Sequence, residues 1–370
     1  MAILIHSCKP ESDNIDLSTG ASSNKYVVEK PYGFGTFYDN TSYPMTVEGV
    51  DLGRHLFYDS ILSVNYTISC GSCHKQSLAF TDDRQFSMGV HGGMTDRNSM
   101  PLYNVGFEQG PFFWDGRALT LEEQIEQPVF NPIEMDLSWE VAVERLQNSP
   151  MYQAKFKAAF GLDKFGKPKI SKQLAVVGMA QFIRSIVSGN SKYDQYAKTK
   201  NFDLFTPLEQ KGFDLFTNDP KLQADTRLKA PGSGVDCGHC HTFPLFQQEA
   251  NLKVLRVLMN NGTISLDNGQ VRDAKVPSLR NLSYTAPYGH DGQFKTIDDI
   301  VKHYNDGSSK MNKAEYDALD DQMYIKLRTR GNPNTMEMDQ NEVSALKAFI
   351  KTLDDPTLLT NPAYSNPFRK

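Results

Sequence analysis

Two short strings constrain this chain more than anything else in it: "CGSCH" at residues 70–74 and "CGHCH" at 237–241. C-x-x-C-H is the attachment signature of c-type haem, in which two thiols bond to the vinyl groups and the adjacent histidine becomes the proximal iron ligand. Two intervening residues let one helical turn present both sulfurs and the imidazole to one macrocycle. Two C-x-x-C pairs could instead share one zinc, but that leaves His74 and His241 without a purpose. A redox dithiol calls for a βαβ setting, and none is visible in the sequence. The residues therefore assign two covalent haems. Cys70, Cys73 and His74 serve the first, and Cys237, Cys240 and His241 the second, with each histidine on iron.

The surroundings of the two signatures repeat. "LGRHLFYDSILSVNYTISCGSCH" (52–74) and "KGFDLFTNDPKLQADTRLKAPGSGVDCGHCH" (211–241) both run G-x-x-L-F, a loop, then the haem motif. A helix feeding a haem-binding loop, used twice, predicts a mainly α protein with little β structure. Its architecture is two cytochrome-c-like helical domains, each with one covalently attached c-type haem. Residues 170–198 read as one long helix, and Thr206 with Pro207 caps and opens the next. The expected organisation is a signal, tether or extended arm over 1–44, a first domain over 45–200, a second over 201–355 and a tail over 356–370.

A net charge of −5 over 370 residues offers no electrostatic footprint for nucleic acid. No apolar run approaches the roughly 20 residues needed to cross a bilayer. The fifth cysteine, Cys8, lies in "MAILIHSCKPESDN". A short apolar run, a small residue, a cysteine and a polar tail resemble the end of a bacterial lipoprotein signal, although no basic segment precedes it. A lipid anchor at Cys8 and a frayed terminus both stand as readings.

One further stretch, "TIDDIVKHYNDG" (296–307), places Ile297, Ile300, Val301 and Tyr304 at helical spacing. It predicts a short amphipathic helix with a histidine and a tyrosine side by side at its end. Adjacent helical residues point about 100° apart, so only one of His303 and Tyr304 can face a given metal.

Between and after the haem motifs stand "RNSMPLYNVGFEQGPFFWDGRALTLEEQIEQPVFNPIEM" (97–135) and "KVPSLRNLSYTAPYGHDGQFKTIDDIVKHYNDG" (275–307). With the paired haem signatures, these strings closely resemble the bacterial di-haem cytochrome c peroxidase family, which includes the MauG-type enzymes. The resemblance spans about residues 45–352. It implies that peroxide reacts at the first haem and that the second passes electrons in from a small donor protein. Glu134 of "NPIEM" matches the acid beside the peroxide site, where O–O cleavage needs a proton moved from one oxygen to the other. Gln124 and Pro128 match residues that shape the same pocket. Trp114 matches the tryptophan between the two haems, where core packing and electron relay are compatible roles. Asn98, Thr285 and Pro287 match a calcium site built from an amide oxygen, backbone carbonyls and waters.

The chain departs from the peroxidase pattern twice. In members that need reductive activation, a histidine after the first haem blocks the iron; here that position is Val90, with His91 one residue later. The expectation is an exposed His91 and an open first haem. At the second haem such members place a methionine fourteen residues after the histidine of "HDG", and here the count from His290 reaches Tyr304. MauG-type enzymes use tyrosine there. A phenolate stabilises ferric iron, whereas methionine ligation raises the potential. Met311, Met323, Met336 and Met338 are substitutes with weaker positional support, and His303 is the neighbouring rival.

Three functions follow. The first is reduction of hydrogen peroxide to water at the first haem, with electrons from a small periplasmic cytochrome c or cupredoxin. The second is MauG-like oxidation of a protein or organic substrate through a high-valent di-haem state. The third is a non-catalytic di-haem electron carrier, which has no need of Glu134. The resemblance also implies a periplasmic location, tethered if Cys8 carries lipid, and a homodimer.

Overall fold

The computed structural model describes residues 24–218, 233–247, 263–265, 271–306, 336 and 338–369. Cys8, Met311 and Met323 lie outside them. In chain order the helices are α1 (Val47–Tyr58), α2 (Cys70–Cys73), α3 (Leu121–Phe130), α4 (Trp139–Gln147), α5 (Pro150–Phe160), α6 (Lys172–Ser185), α7 (Lys192–Thr199) and α8 (Pro207–Thr217). After a two-stranded antiparallel hairpin, β1 (Thr263–Ser265) and β2 (Val271–Asp273), come α9 (Ile297–Asp306), α10 (Gln340–Lys351) and α11 (Thr357–Thr360). The protein is mainly helical, as the repeat implied.

The G-x-x-L-F repeat acquires a packing meaning. In the first lobe α1 crosses α6 so closely that a Cβ on Gly53 would lie 1.9 Å from the Gly178 carbonyl oxygen. In the second, α8 crosses α10, and a Cβ on Gly212 would lie 2.0 Å from the Ala345 carbonyl oxygen. Only glycine permits either crossing. The Leu-Phe pairs that follow, Leu56–Phe57 and Leu215–Phe216, are buried in two separate apolar cores.

The first core draws on Met45 to Ile186 and takes in Leu358 and Tyr364 from the closing segment. The second runs from Tyr193 to Leu353 and is strongly aromatic, with Phe205, Phe216, Phe246 and Phe349 among its buried members. The N-terminal arm is largely extended over residues 24–46. It is tied down by Lys25 pairing with Thr46 and by buried Phe34, whose ring meets Phe107 edge-on at 5.0 Å.

The single helix expected over 170–198 is two helices. α6 ends at Ser185, and α7 starts afresh after Ser191, whose hydroxyl accepts from the Asp194 amide while the Asp194 carboxylate bonds back. The break is held from far away: the Asp355 carboxylate accepts from the amides of Gly189 and Asn190, both at 3.0 Å. Helical periodicity continues across the break, but a capping box and a distant carboxylate satisfy the backbone in another conformation. Thr206 caps α8 with Pro207 at its first position, as expected.

Candidate active site and haem centres

α3 starts at a capping box in which Thr120 and Glu123 satisfy each other's amides. One turn apart on this helix, Gln124 and Pro128 turn toward a cavity that opens partly to solvent. The same cavity is lined by Cys70, Cys73, His74, Glu134 and apolar side chains that include Phe57, Ile125, Met179 and Ile183. Four separate stretches of the sequence thus meet around one space.

Glu134 is held there by a tight loop. Asn131 accepts the Ile133 amide on its side-chain oxygen at 3.0 Å and donates from Nδ2 to Glu134 Oε1 at 2.8 Å. Gly89 allows the neighbouring loop to approach, since a Cβ there would sit 1.6 Å from the Ile133 carbonyl oxygen. The adjoining Val90 amide then bonds to the Glu134 carbonyl at 2.8 Å. Burial raises the carboxyl's pKa, while the Asn131 hydrogen bond and the Arg117 charge pull it the other way. A carboxyl balanced in this manner can both accept and release a proton. Asn131 opens the "NPIEM" string, and its place three residues before the acid is the sequence signal for this contact.

His91 points elsewhere. Its Nε2 bonds to Asp136 at 2.8 Å on an exposed surface.

The donor sets fit covalent haem. Cys70, Cys73, Cys237 and Cys240 form no disulfides. Burial pushes the thiols of Cys70 and Cys240 up to about 12 and that of Cys73 to about 11. His74 directs Nδ1 at the Phe80 carbonyl, 3.0 Å away, with the Met100 carbonyl also engaged. His241 directs Nδ1 at the carbonyls of Phe246 and Pro277, both at 3.1 Å. Burial lowers both imidazoles, His241 to about 4, and keeps them neutral, the form that ligates metal. In each ring Nε2 is left for iron, and the Nδ1 bond sets tautomer and orientation.

The repeat extends past the haem motifs. Each signature is followed by a backbone bridge, Lys75 with Thr81 and Thr242 with Gln247. Next comes an asparagine in left-handed conformation opening a short 3-10 turn, Asn104 at φ 63 and Asn281 at φ 59. A second bridge follows, Phe112 with Ala118 and Tyr288 with Phe294. A threonine-capped helix then begins: Thr120 opens α3, and Thr296 exchanges bonds with Asp299 at the start of α9. Counting eight residues from the capping threonine reaches Pro128 in one lobe and Tyr304 in the other. Val301, on the same face of α9, is buried in the second core, and Tyr304 is half-buried. His303 instead lies against Phe294, ring centres 4.8 Å apart. Of the methionine alternatives, Met338 is buried in the second core and Met336 packs against it.

Trp114 is buried between the lobes. Its Nε1 donates to the Asn98 carbonyl at 2.8 Å, and its own carbonyl accepts from the Lys275 amide at 2.7 Å. Asn98 is buried too, and its amide nitrogen donates to the carbonyls of Arg84 and Gln85 at 3.1 and 3.2 Å. That commits the NH₂ group. The Asn98 backbone amide reaches the His290 carbonyl at 2.9 Å, which joins this segment to the loop after Thr285 and Pro287. Among the described residues no cluster of three His, Cys, Asp or Glu side chains is set to hold a metal.

A family model described as di-haem cytochrome c peroxidase matches residues 47–201. The methylamine utilization protein MauG of Methylorubrum extorquens is 30% identical over 325 residues, covering 86% of this chain and 82% of that protein. The cytochrome c551 peroxidase of Nitrosomonas europaea is 30% identical over 319 residues, covering 84% and 81%. A crystal structure of a MauG-like protein associated with microbial copper homeostasis superposes with a TM-score of 0.74 at 28% identity, covering 93% of this chain and all of that one. With two haem-attachment sites and an acid-lined cavity over the first, the chain belongs to the di-haem cytochrome c peroxidase family, and is an oxidoreductase that carries two c-type haems and uses peroxide.

Proposed function

We propose that the protein reduces hydrogen peroxide to water at the first haem, with two electrons and two protons consumed per peroxide. Electrons arrive through the second haem from a small periplasmic cytochrome c or cupredoxin. The haem, when bound, supplies the iron that takes up peroxide and the electrons that break its O–O bond. This chain's residues do the rest. Glu134 takes the proton from one peroxide oxygen and returns it to the other, and Asn131 holds the carboxylate at a fixed angle. Gln124, Pro128 and Ile125 wall the space and limit water. His74 and His241 ligate iron through Nε2, and Trp114 carries electrons between the lobes. Calcium at Asn98, Thr285 and Pro287 would stiffen the same junction with neutral oxygens. No helix among the described residues is long and apolar enough to cross a membrane; periplasmic location, a Cys8 anchor and homodimerisation belong to the proposal.

The observation that carries the reading is the burial of Glu134 in the cavity that also holds Cys70, Cys73 and His74. Glu134→Gln should reduce peroxide turnover about 10²-fold or more while both haems remain attached. Undiminished turnover would remove Glu134 from the mechanism.

A second reading, MauG-like oxidation of an external substrate, is favoured by one observation: the equivalence of Tyr304 with cavity-lining Pro128. Tyr304 as sixth ligand would hold the second haem ferric and ill-suited to a high-potential donor. EPR of Tyr304→Phe tests it. Loss of the wild-type low-spin signal of the second haem supports ligation, and an unchanged signal ends it.

A further inference from the structure

Arg280, within "KVPSLRN", has the largest side chain among the fully buried residues, at 0% exposure. Its guanidinium makes two bonds to the Asp194 carboxylate, at 2.9 and 2.8 Å, and two to the Pro244 carbonyl, at 3.0 and 2.7 Å. The rings of Phe34 and Phe246 lie 4.9 and 5.5 Å from its Cζ. One side chain therefore ties α7, the N-terminal arm and the loop following the second haem signature.

That loop holds the second proximal histidine. Pro244 O is bound by Arg280, Leu245 O by the Ser278 hydroxyl at 2.6 Å, and Phe246 O by the Leu279 amide at 3.0 Å. Three successive carbonyls are thus gripped by three successive residues, 278–280. The acceptors of His241 Nδ1 are Phe246 O in this loop and Pro277 O at the start of the gripping segment. The first lobe is built differently at the equivalent point. Leu78 O, which corresponds to Pro244 O, is held locally by the Thr81 hydroxyl at 2.9 Å. Tyr103, which precedes Asn104 as Arg280 precedes Asn281, sends its hydroxyl across to the Arg280 carbonyl at 2.5 Å. Apolar residues of equal volume would stabilise a core as well as a buried ion pair does. What the guanidinium adds is a rigid planar fork with fixed direction.

We propose that Arg280 is a positioning residue for the second haem: locked by Asp194, it pins Pro244 and Phe246 so that the Phe246 carbonyl stays aligned on His241 Nδ1. This rests on the reading that His241 ligates the second iron. A firm acceptor on Nδ1–H makes the ligand more basic and favours ferric iron.

The test is a redox titration and EPR of the di-haem protein carrying Arg280→Gln with Asp194→Asn, a pair that removes both charges and keeps an acceptor at the start of α7. The oxidised-to-reduced equilibrium of the second haem should shift about tenfold toward the reduced form, about 59 mV for one electron. Its low-spin lines should move while those of the first haem stay in place. Arg280→Lys, which cannot grip both partners, should give an intermediate shift. Unmoved second-haem lines and potential in the folded protein, or equal shifts at both haems, would overturn the proposal. Should the double variant not fold, Ser278→Ala releases Leu245 O without touching a buried charge. It should shift the same lines less and in the same direction, and no shift overturns the proposal equally. His241→Gly is the control: retention of the second-haem low-spin signal there would end the ligand reading itself rather than the role of Arg280.

Discussion

The two haem lobes share a plan and differ in what stands around the iron. Each has a glycine crossing between its main helices, a haem-motif histidine bonded to backbone carbonyls and a threonine-capped helix at the same place in the repeat. In the first lobe that helix offers Gln124 and Pro128, with Glu134 from the next loop, to one partly open cavity. In the second, the position of Pro128 belongs to Tyr304, and a fully buried arginine grips the histidine loop. On the proposed reading, the first lobe leaves room and a proton carrier beside the site where peroxide reacts. On the same reading, the second sets Tyr304 at the equivalent position and stiffens the loop of its histidine, which suits a centre that changes charge without changing shape. The two lobes share a scaffold, and a few side chains divide the work.

The strongest way to break this comparison is to make the lobes alike. Pro128→Tyr places in the first lobe the residue that the second has at the same position. It should fill the cavity, lower peroxide turnover at least 10²-fold and add a second low-spin haem by EPR. Normal turnover would show that the two helices are not equivalent over their haems. Next in size are the glycine crossings. Gly53→Ala and Gly212→Ala should each destabilise by about 1–3 kcal/mol in denaturant unfolding, because neither opposing carbonyl can yield. A large effect at only one would confine close helix packing to that lobe.

A smaller effect is expected at the acid. Asn131 donates to the ionised form of Glu134, so Asn131→Ala removes a hydrogen bond that lowers its pKa and lets burial raise it further. Where Glu134 must be ionised to take a proton, the acidic limb of the pH–rate profile should move to higher pH. A charged hydrogen bond is worth about 1.5 kcal/mol or more, enough for the move to be read in the profile. A static profile would detach Asn131 from the acid. Smallest of all, Thr120→Ala and Thr206→Ala remove matched capping boxes from α3 and α8, and each should cost about 1 kcal/mol. Only the first should also disturb turnover, because only α3 lines the cavity.

Much of this was legible in the chain itself, because the chemistry is local. Haem attachment needs five consecutive residues, caps need four, and the G-x-x-L-F repeat carries its glycine and its core pair within one helical turn and a half. Glu134, Gln124 and Pro128 could be named from their strings, and the cavity brings them together. What periodicity could not reveal was the break after α6, since Asp355 holds it from 165 and 166 residues away. Arg280 and Asp194 stand 86 residues apart, and Tyr103 reaches Arg280 across 177. Such bonds depend on where distant carbonyls end up, and no spacing rule encodes that. The sequence by itself determined that the chain carries two haem-attachment motifs, whose cysteines and histidines are proposed to hold the haems. Only the tertiary structure decided how each histidine is held, because a hydrogen bond's strength lies in a direction that the whole fold must set.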